Sequence, residues 1–277
     1  MSKNAAFSAD AYLERIGLSA APRLTADGLE AVHRAQAYTI PFENFDILLG
    51  RGISLDPADV FSKLVGRRRG GYCFELNGLV QTALAAFGFT LRPLLARVHV
   101  SGTPTSRSHL LALVTLEGRE WLADVGFGGP GLRAPIPFEL NAVNRQDGRT
   151  FRLVERPPFG VMLQTGAGAD WQDLYSFDLA HVVPADIVSG NHFTATHPSS
   201  FFTFTRVAAL PKPNGRVSLV DTALKTVAGD VEQTLVLADD ERYLAALEQH
   251  FGIALDAPYS ALCPLTAPPA RAGKEQP

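Results

Sequence analysis

One cysteine in the chain follows a glycine pair at the predicted start of a helix. Cys73 comes directly after Gly70, Gly71 and Tyr72. Unpaired N–H groups at a helix start stabilise a thiolate, which is the nucleophilic form of cysteine. Cys73 is therefore a candidate nucleophile, although a buried and unreactive core cysteine would fit the same position. The second cysteine, Cys263, lies near the C-terminus without such a setting, and we expect it to be structural.

A histidine and an aspartate downstream of the cysteine complete a possible catalytic set. His109 begins a predicted strand, 109–116, and Asp124 lies in a second predicted strand, 120–125, after a short turn at 117–118. If the loop has an even number of residues, both side chains lie on one face of a hairpin. Asp124 would then accept the Nδ1 proton of His109, and the other ring nitrogen would face the thiol. An odd-numbered loop would separate them.

Two other arrangements of histidines are weaker candidates. His99 is a competing base, but no carboxylate is predicted beside it. A metal site at His192 and His197 would lack a third ligand nearby, and the two cysteines of the chain form no CxxC pair. We therefore expect no metal.

Composition is that of an ordinary globular protein. Of 277 residues, 46% are hydrophobic and 19% charged, and the net charge of −3 provides no broad basic surface for nucleic acid or an anionic membrane. Two distant cysteines exclude a disulfide framework. The N-terminus has no signal-peptide hydrophobic region, and the apolar stretch 79–100 is interrupted by polar residues and proline. We expect a soluble cytoplasmic protein.

The elements that must position the candidate residues are predicted to be helices first and antiparallel strands afterwards, an α+β order. Helices are expected to start at Ser8, Thr25, Asp56-Pro57 and Cys73, with a later one over 240–251. Strands are expected over 94–100, 109–116, 120–125, 150–156, 161–164, 200–208 and 216–219. The tail after Pro264, rich in proline, alanine and charge, is expected to be disordered.

Several segments of the chain resemble the motifs of the arylamine N-acetyltransferase family. They occur in the family's order and span roughly residues 8 to 255. They are 41–44 (PFEN), 69–77 (RGGYCFELN), 108–110 (SHL), 121–128 (WLADVGFG) and, late in the chain, 191–201. The chain is similar to the bacterial branch of that family.

The resemblance implies an α+β fold of three lobes around a cysteine-protease-like triad core. A helical bundle over 1–90 would carry the nucleophile. A β-barrel-like domain with antiparallel strands over 91–200 would carry the histidine and the aspartate. An α/β lid would follow over 201–277, ending in the disordered tail.

The resemblance also implies a reaction. A Cys73–His109–Asp124 triad would transfer an acetyl group from acetyl-coenzyme A to an arylamine or arylhydrazine. The mechanism would be ping-pong, through an acetyl-cysteine on Cys73. Coenzyme A and the small-molecule amine would be the partners, with no nucleic acid and no membrane.

By the same resemblance, Phe42, Val98, Phe127 and Phe201 line an apolar slot for the aromatic ring. Taken from the sequence alone, these residues would also fit a hydrophobic core. Gly126 would lie beside the substrate, and an N–H of its region would join that of Cys73 in holding the oxyanion.

Charged residues would support the site from outside the triad. Arg69 and Glu43 match family positions that form an ion pair, although an unrelated surface pair would also fit these residues. The phosphates of coenzyme A have several candidate cations, between which the sequence does not choose: Arg206, Lys212, Arg216 and Lys225.

Two other functions fit the same residues. A cysteine hydrolase or transglutaminase-like enzyme would use the same triad with water or another amine as acceptor. A small-molecule-binding protein with an inactive site is the non-enzymatic alternative. Consumption of acetyl-coenzyme A without an amine would favour the hydrolase.

Overall fold

The computed structural model describes residues 7–167 and 170–265, which form helices at the N-terminal end and two antiparallel sheets. The helices are α1 (Ala9–Ile16), α2 (Ala26–Thr39), α3 (Phe45–Leu48), α4 (Pro57–Phe61), α5 (Cys73–Ala86), α6 (Pro184–Thr196) and α7 (Arg242–Phe251). The strands are β1 (Phe42–Glu43), β2 (Thr90–Val98), β3 (Arg107–Leu116), β4 (Arg119–Ala123), β5 (Ile136–Pro137), β6 (Asn144–Gln146), β7 (Arg149–Glu155), β8 (Val161–Ala167), β9 (Asp170–Phe177), β10 (Val207–Lys212), β11 (Gly215–Val220), β12 (Ala223–Ala228) and β13 (Val231–Val236).

The N-terminal helices begin at the residues that the sequence predicts. The side chains of Ser8 and Thr25 each accept a hydrogen bond from the N–H three residues on, at 3.3 and 3.2 Å. Asp56 accepts from Ala58 N at 2.8 Å, and Pro57 occupies the first position of α4. Local capping chemistry therefore determines where these helices start.

Helix α5, which carries Cys73, lies at the centre of the N-terminal core. Its apolar face is buried. The chain leading into it runs beside segment 41–43, with Gly71 N bonded to Pro41 O at 3.2 Å. A Cβ on Gly70 would lie 2.3 Å from that same Pro41 oxygen, so only glycine allows this approach.

The larger sheet has eight antiparallel strands in the order β5-β4-β3-β2-β9-β8-β7-β6 and forms a near-closed barrel. Strands β3 and β4 form a hairpin with the two-residue loop 117–118, and its last pair is Ala112 with Ala123. The even loop that the sequence argument required is therefore present. Helices α5 and α6 pack against β3.

The second sheet has the order β1-β10-β11-β12-β13 and packs one face on α7. Its edge strand β1 comes from the N-terminal segment, with Phe42 paired to Ala209. The chain between 41 and 43 thus connects the cysteine-bearing helices to the C-terminal sheet. The lobe boundaries near residues 90 and 200 stay a prediction.

The α+β fold class is confirmed, but the structure differs from the sequence-based expectations locally. The strand expected over 200–208 is wrong: a 3₁₀ turn, Phe201–Thr203, comes first, and β10 begins only at Val207. Ser200 Oγ donates to Thr194 O at 2.6 Å and holds the chain in that turn. Helix α6 was not predicted. The tail after Pro264 lies outside the described residues, apart from residue 265.

Within the described ranges, no helix is both long and apolar enough to cross a bilayer.

Candidate active site

Cys73 is the first residue of α5 and is nearly buried, with 4% of its surface exposed. At this position the helix supplies no carbonyl for the Cys73 N–H, which stays available to a ligand. Glu75 caps the helix by accepting Tyr72 N at 3.1 Å. The sulfur lies 3.7 Å from the carbonyl oxygen of Ser108, the residue before His109. The fold therefore brings the cysteine to the start of β3.

His109 and Asp124 meet on one face of the β3–β4 hairpin. In the register of this hairpin, Asp124 falls opposite Leu111, so His109 is its diagonal neighbour. His109 Nε2 lies 2.8 Å from Asp124 Oδ2, and both residues are at most 2% exposed. The predicted pairing on a shared face is therefore present.

The nitrogen that makes this bond differs from the predicted one. The expectation that Nδ1 would donate to Asp124 is wrong, because the bond is made by Nε2. A diagonal neighbour is farther away than one directly opposite, so the ring nitrogen farther from the backbone makes the contact. Nδ1 is therefore left for the thiol.

The charges of the pair stabilise each other. Burial lowers the pKa of His109, but the charge and hydrogen bond of Asp124, together with Cys73, outweigh burial and raise it above its ordinary value. Burial raises the pKa of Asp124, but His109 and the hydrogen bonds from Asn77 and Gly126 lower it overall. Asp124 therefore stabilises the imidazolium that forms when His109 takes up a proton.

Asp124 is held by groups that the sequence analysis did not single out. Asn77 Nδ2 donates to Asp124 Oδ1 at 2.8 Å and to Leu110 O at 2.6 Å, while Asn77 Oδ1 accepts Val125 N at 3.0 Å. His33 Nε2 accepts the Asp124 N–H at 3.1 Å. The spacing of Asn77, one helical turn after Cys73, was the signal that could have revealed it.

The backbone N–H of Gly126 is engaged by the carboxylate. It donates to Asp124 Oδ1 at 2.9 Å, so a second oxyanion donor from this region would have to be another N–H. A Cβ on Gly126 would lie 2.6 Å from Asn77 Nδ2 and 3.0 Å from Cys73 Cα. The absence of a side chain therefore lets the 124–128 turn approach α5 this closely.

Aromatic rings cover the imidazole. The ring of Phe127 lies 5.1 Å from that of His109, and the ring of Tyr175 lies 5.0 Å from it. Tyr175, another residue that the sequence analysis missed, pairs with Val98 across β2 and β9. Val98 therefore shares a face with Tyr175 beside the site.

The apolar residues predicted as a slot come together only in part. Phe42 and Phe127 line one cavity together with Asp124. Phe202, not Phe201, packs against Phe42, with 5.8 Å between ring centroids, and against Tyr72, with 6.0 Å. Phe201 is 48% exposed and does not pack on Phe42.

The expected ion pair between Arg69 and Glu43 is present in a buried network. Arg69 Nη2 lies 2.7 Å from Glu43 and 3.2 Å from Asp46. Lys63 Nζ lies 2.8 Å from both Asp46 and Glu75. Since Glu75 caps α5, the network runs from β1 to the helix that carries Cys73.

Comparison with known proteins identifies the family of the chain. A protein-family model described as N-acetyltransferase matches residues 25–259. The arylamine N-acetyltransferase of Escherichia coli (strain K12) is 38% identical over 249 residues, which are 88% of each chain. The chain belongs to the arylamine N-acetyltransferase family. The family resemblance and the assignment as an acetyltransferase enzyme are thereby confirmed.

Solved arylamine N-acetyltransferases share the fold. The one from Salmonella typhimurium has a TM-score of 0.85 at 34% identity, covering 90% of this chain and 92% of that chain. The one from Mycobacterium marinum, in complex with CoA, has a TM-score of 0.83 at 33% identity, covering 89% and 93%.

The candidate phosphate-binding cations of this family member differ in availability. Arg206 is buried, and it donates to Tyr259 Oη at 2.6 Å and to Cys263 O at 2.9 Å. Lys225 pairs with Glu232 at 2.5 Å. Lys212 is exposed and Arg216 is half-buried. Among the residues that the structure describes, no group of three or more potential ligands could hold a metal ion.

Proposed function

We propose that this protein transfers an acetyl group from acetyl-coenzyme A to an arylamine or arylhydrazine through an acetyl-cysteine on Cys73. The observation that carries the proposal is the buried 2.8 Å bond between His109 and Asp124 beside the only cysteine at a helix start in the described residues. His109 is the base and Asp124 the carboxylate that orients it.

In the first half-reaction the Cys73 proton passes to Nδ1 of His109, and the thiolate attacks the thioester carbonyl carbon. The tetrahedral intermediate then collapses, the carbon–sulfur bond to coenzyme A breaks, and the imidazolium returns its proton to the leaving thiolate. Asp124 favours the imidazolium that forms in between, which agrees with the raised pKa of His109.

In the second half-reaction the amine attacks the acetyl-cysteine. Arylamines are weak bases, so at neutral pH much of the amine is unprotonated and nucleophilic. His109 removes the proton from the attacking nitrogen, and the Cys73 thiolate leaves. Water is kept away by Phe127 and Tyr175, whose rings lie against the imidazole.

The Cys73 N–H is our candidate for oxyanion stabilisation, since the helix leaves it without an intrahelical acceptor. Gly126 N–H is withdrawn from that role because it bonds to Asp124. For the aromatic ring of the acceptor we propose a slot of Phe42, Val98, Phe127 and Phe202, with Phe202 replacing Phe201. Arg69 and Glu43 support the start of α5 from behind.

Acetyl-coenzyme A as the donor is supported by the M. marinum relative, whose structure is a complex with CoA. The proposal is tested by acetylation of an arylamine by purified Cys73→Ala and His109→Ala. Both should lose turnover, while Cys263→Ala, which removes the exposed cysteine, should keep it. Near-normal turnover in either triad variant would refute the proposal.

The same assay separates acetyl transfer from hydrolysis. With acetyl-coenzyme A alone, release of free coenzyme A should stop after one equivalent per enzyme. Continued release without an amine would identify a cysteine hydrolase instead.

A further inference from the structure

Arg216 lies on the face of the C-terminal sheet that is turned toward the active site. It pairs with Pro211 across β10 and β11, and cross-strand partners share a face. Pro211 lies two residues after Ala209, which pairs with the slot residue Phe42. Phe42 and Arg216 are therefore on the same side of this sheet.

A second arginine, Arg149 on β7 of the barrel, lies on the face of its hairpin that is turned toward the segment containing Arg133. Arg149 pairs with Gln146 across the hairpin of β6 and β7. The Gln146 side chain accepts the N–H groups of Arg133 and Ala134 at 2.8 and 3.0 Å. Arg149 shares that face and so points toward the segment that contains Arg133.

Arg133 lies in the segment that the Gln146 side chain holds and is 2% exposed. Its guanidinium is held by the carbonyl oxygens of Gly129 at 2.8 Å and Gly131 at 3.1 Å. Arg133 and Pro211 line one cavity, whose other lining residues include Phe42, Phe127 and Asp124. Three elements therefore bring positive charge to one junction next to the proposed slot.

Neither Arg149 nor Arg216 forms an ion pair with a carboxylate of the described residues. Asp147, in the turn between β6 and β7, is the acidic group nearby that acts on Arg133. Its carboxylate already accepts from Arg34 at 2.6 Å and from the Tyr38 hydroxyl. The junction therefore holds an excess of positive charge.

The positive charges of Arg133, Arg149 and Arg216 repel one another, as expected for arginines placed close together. Burial and the charge of Arg216 lower the pKa of Arg149. Burial, Arg149 and, more weakly, Arg216 lower the pKa of Arg133 to about 10, although Tyr38 and Asp147 act in the opposite direction. Half-buried like charges of this kind destabilise the empty protein, and a bound anion would relieve them.

We propose that Arg149 and Arg216, together with the buried Arg133, form a recognition site for phosphate groups of the acyl-coenzyme A donor. Guanidinium groups bind phosphate oxygens through paired N–H donors, and two such groups from different strands hold a phosphate more specifically than one. This inference rests on the proposed function, because the acetyl end of the donor must reach Cys73. This phosphate site is distinct from the slot proposed for the arylamine, because an arylamine carries no phosphate.

The experiment measures binding of coenzyme A, dephospho-coenzyme A and pantetheine by calorimetry. Wild type is compared with Arg149→Gln, Arg216→Gln and the control Arg145→Gln, which removes an exposed arginine next to Gln146 on the opposite face of β6. Each of the first two variants should weaken coenzyme A binding about tenfold or more, and pantetheine binding should stay unchanged. Arg149→Lys and Arg216→Lys, which keep the charge, should recover part of the loss.

The phosphate involved follows from the second probe. A loss seen with coenzyme A but not with dephospho-coenzyme A assigns the arginines to the 3′-phosphate. A loss seen with both assigns them to the diphosphate. Either result supports the site.

Thermal unfolding without ligand separates binding from structure. Because the arginines repel one another, Arg149→Gln and Arg216→Gln should melt at or above the wild-type temperature. Coenzyme A affinities within twofold of the Arg145→Gln control would overturn the inference. An equal loss with pantetheine, or a loss of affinity that merely follows a lower melting temperature, would overturn it too.

Failure of this inference and failure of the proposed function are distinguishable. The binding measurements need no amine and no turnover. If the wild-type protein binds coenzyme A through these arginines but acetylates no arylamine, the proposed function fails and the phosphate site stands.

Discussion

Replacing Asp124 with asparagine is expected to reverse the tautomer of His109. Asp124 Oδ1 accepts from Asn77 Nδ2 at 2.8 Å and from Gly126 N at 2.9 Å, whereas Oδ2 lies 2.8 Å from His109 Nε2. An asparagine has one oxygen and one NH₂ group. Its oxygen must take the Oδ1 position, because an NH₂ there would face two donors. The NH₂ group therefore faces His109 Nε2.

That orientation stops proton transfer. Nε2 has to accept, so the single proton of the neutral imidazole moves to Nδ1, the nitrogen left for Cys73. A protonated Nδ1 cannot take the thiol proton, and the amide cannot stabilise an imidazolium. The same change in a serine-protease triad lowers kcat about 10⁴-fold, which corresponds to about 5 kcal/mol of transition-state stabilisation. We expect a loss of this order in Asp124→Asn.

The assay is steady-state acetylation of an arylamine, with Asp240→Asn as the control. Asp240 pairs with Arg242 on the exposed surface, so its replacement removes a carboxylate without affecting the site. Asp124→Asn should still fold, because the two Oδ1 bonds remain. A folded Asp124→Asn enzyme with more than about a tenth of wild-type kcat would refute the tautomer argument.

Further predictions concern stability and close packing. Asn77→Ala should lower the free energy of unfolding by roughly 3–6 kcal/mol, because three buried hydrogen bonds are lost, one of them to a carboxylate. Urea unfolding measures this change, and a loss below about 1 kcal/mol would contradict the prediction. Gly126→Ala should reduce kcat strongly, because the added Cβ would collide with Asn77 and Cys73. A Cβ on Gly129 has no atom within 4 Å, so the control Gly129→Ala should leave kcat unchanged. Equal effects of the two substitutions on kcat would refute the packing argument. Wild type should be more stable than His109→Gln, and the difference in the free energy of unfolding should be greatest below about pH 6.5. The difference should shrink as pH rises through the raised pKa of His109, as measured by urea unfolding at each pH. A difference that grows with pH would contradict the raised pKa.

Features set by neighbouring residues were the ones that the sequence could predict. Capping by Ser8 and Thr25 depends on N–H groups three residues away, and the pairing of His109 with Asp124 depends on a two-residue loop. Each follows from chemistry within one turn or one hairpin. The helix that presents Cys73 was predictable for the same reason.

Features set by distant contacts were missed. Helix α6 buries small or polar residues such as Gly190, Asn191 and Thr194, so its sequence lacks the apolar stripe of an amphipathic helix. The inward position of Phe202 depends on a turn held by the Ser200 side chain. As a result Phe202 packs against Phe42, whereas Phe201 is 48% exposed.

The hydrogen-bond partners inside the site also needed the fold. The choice of Nε2 follows from the diagonal position of Asp124, and the capture of Gly126 N–H follows from the turn after β4. His33, on α2, accepts the Asp124 N–H, which no sequence spacing connects to the hairpin. These contacts link segments that are remote in the chain and become visible only when the helices pack on the barrel.

The most direct test of the account is mass spectrometry of the intact protein after mixing with acetyl-coenzyme A alone. We expect a gain of one acetyl group, located on Cys73 by peptide mapping and discharged when an arylamine is added. Cys73→Ala should gain none, and Cys263→Ala should behave as wild type. An unmodified wild-type protein that still acetylates the amine, or an acetyl group on another residue, would contradict the account.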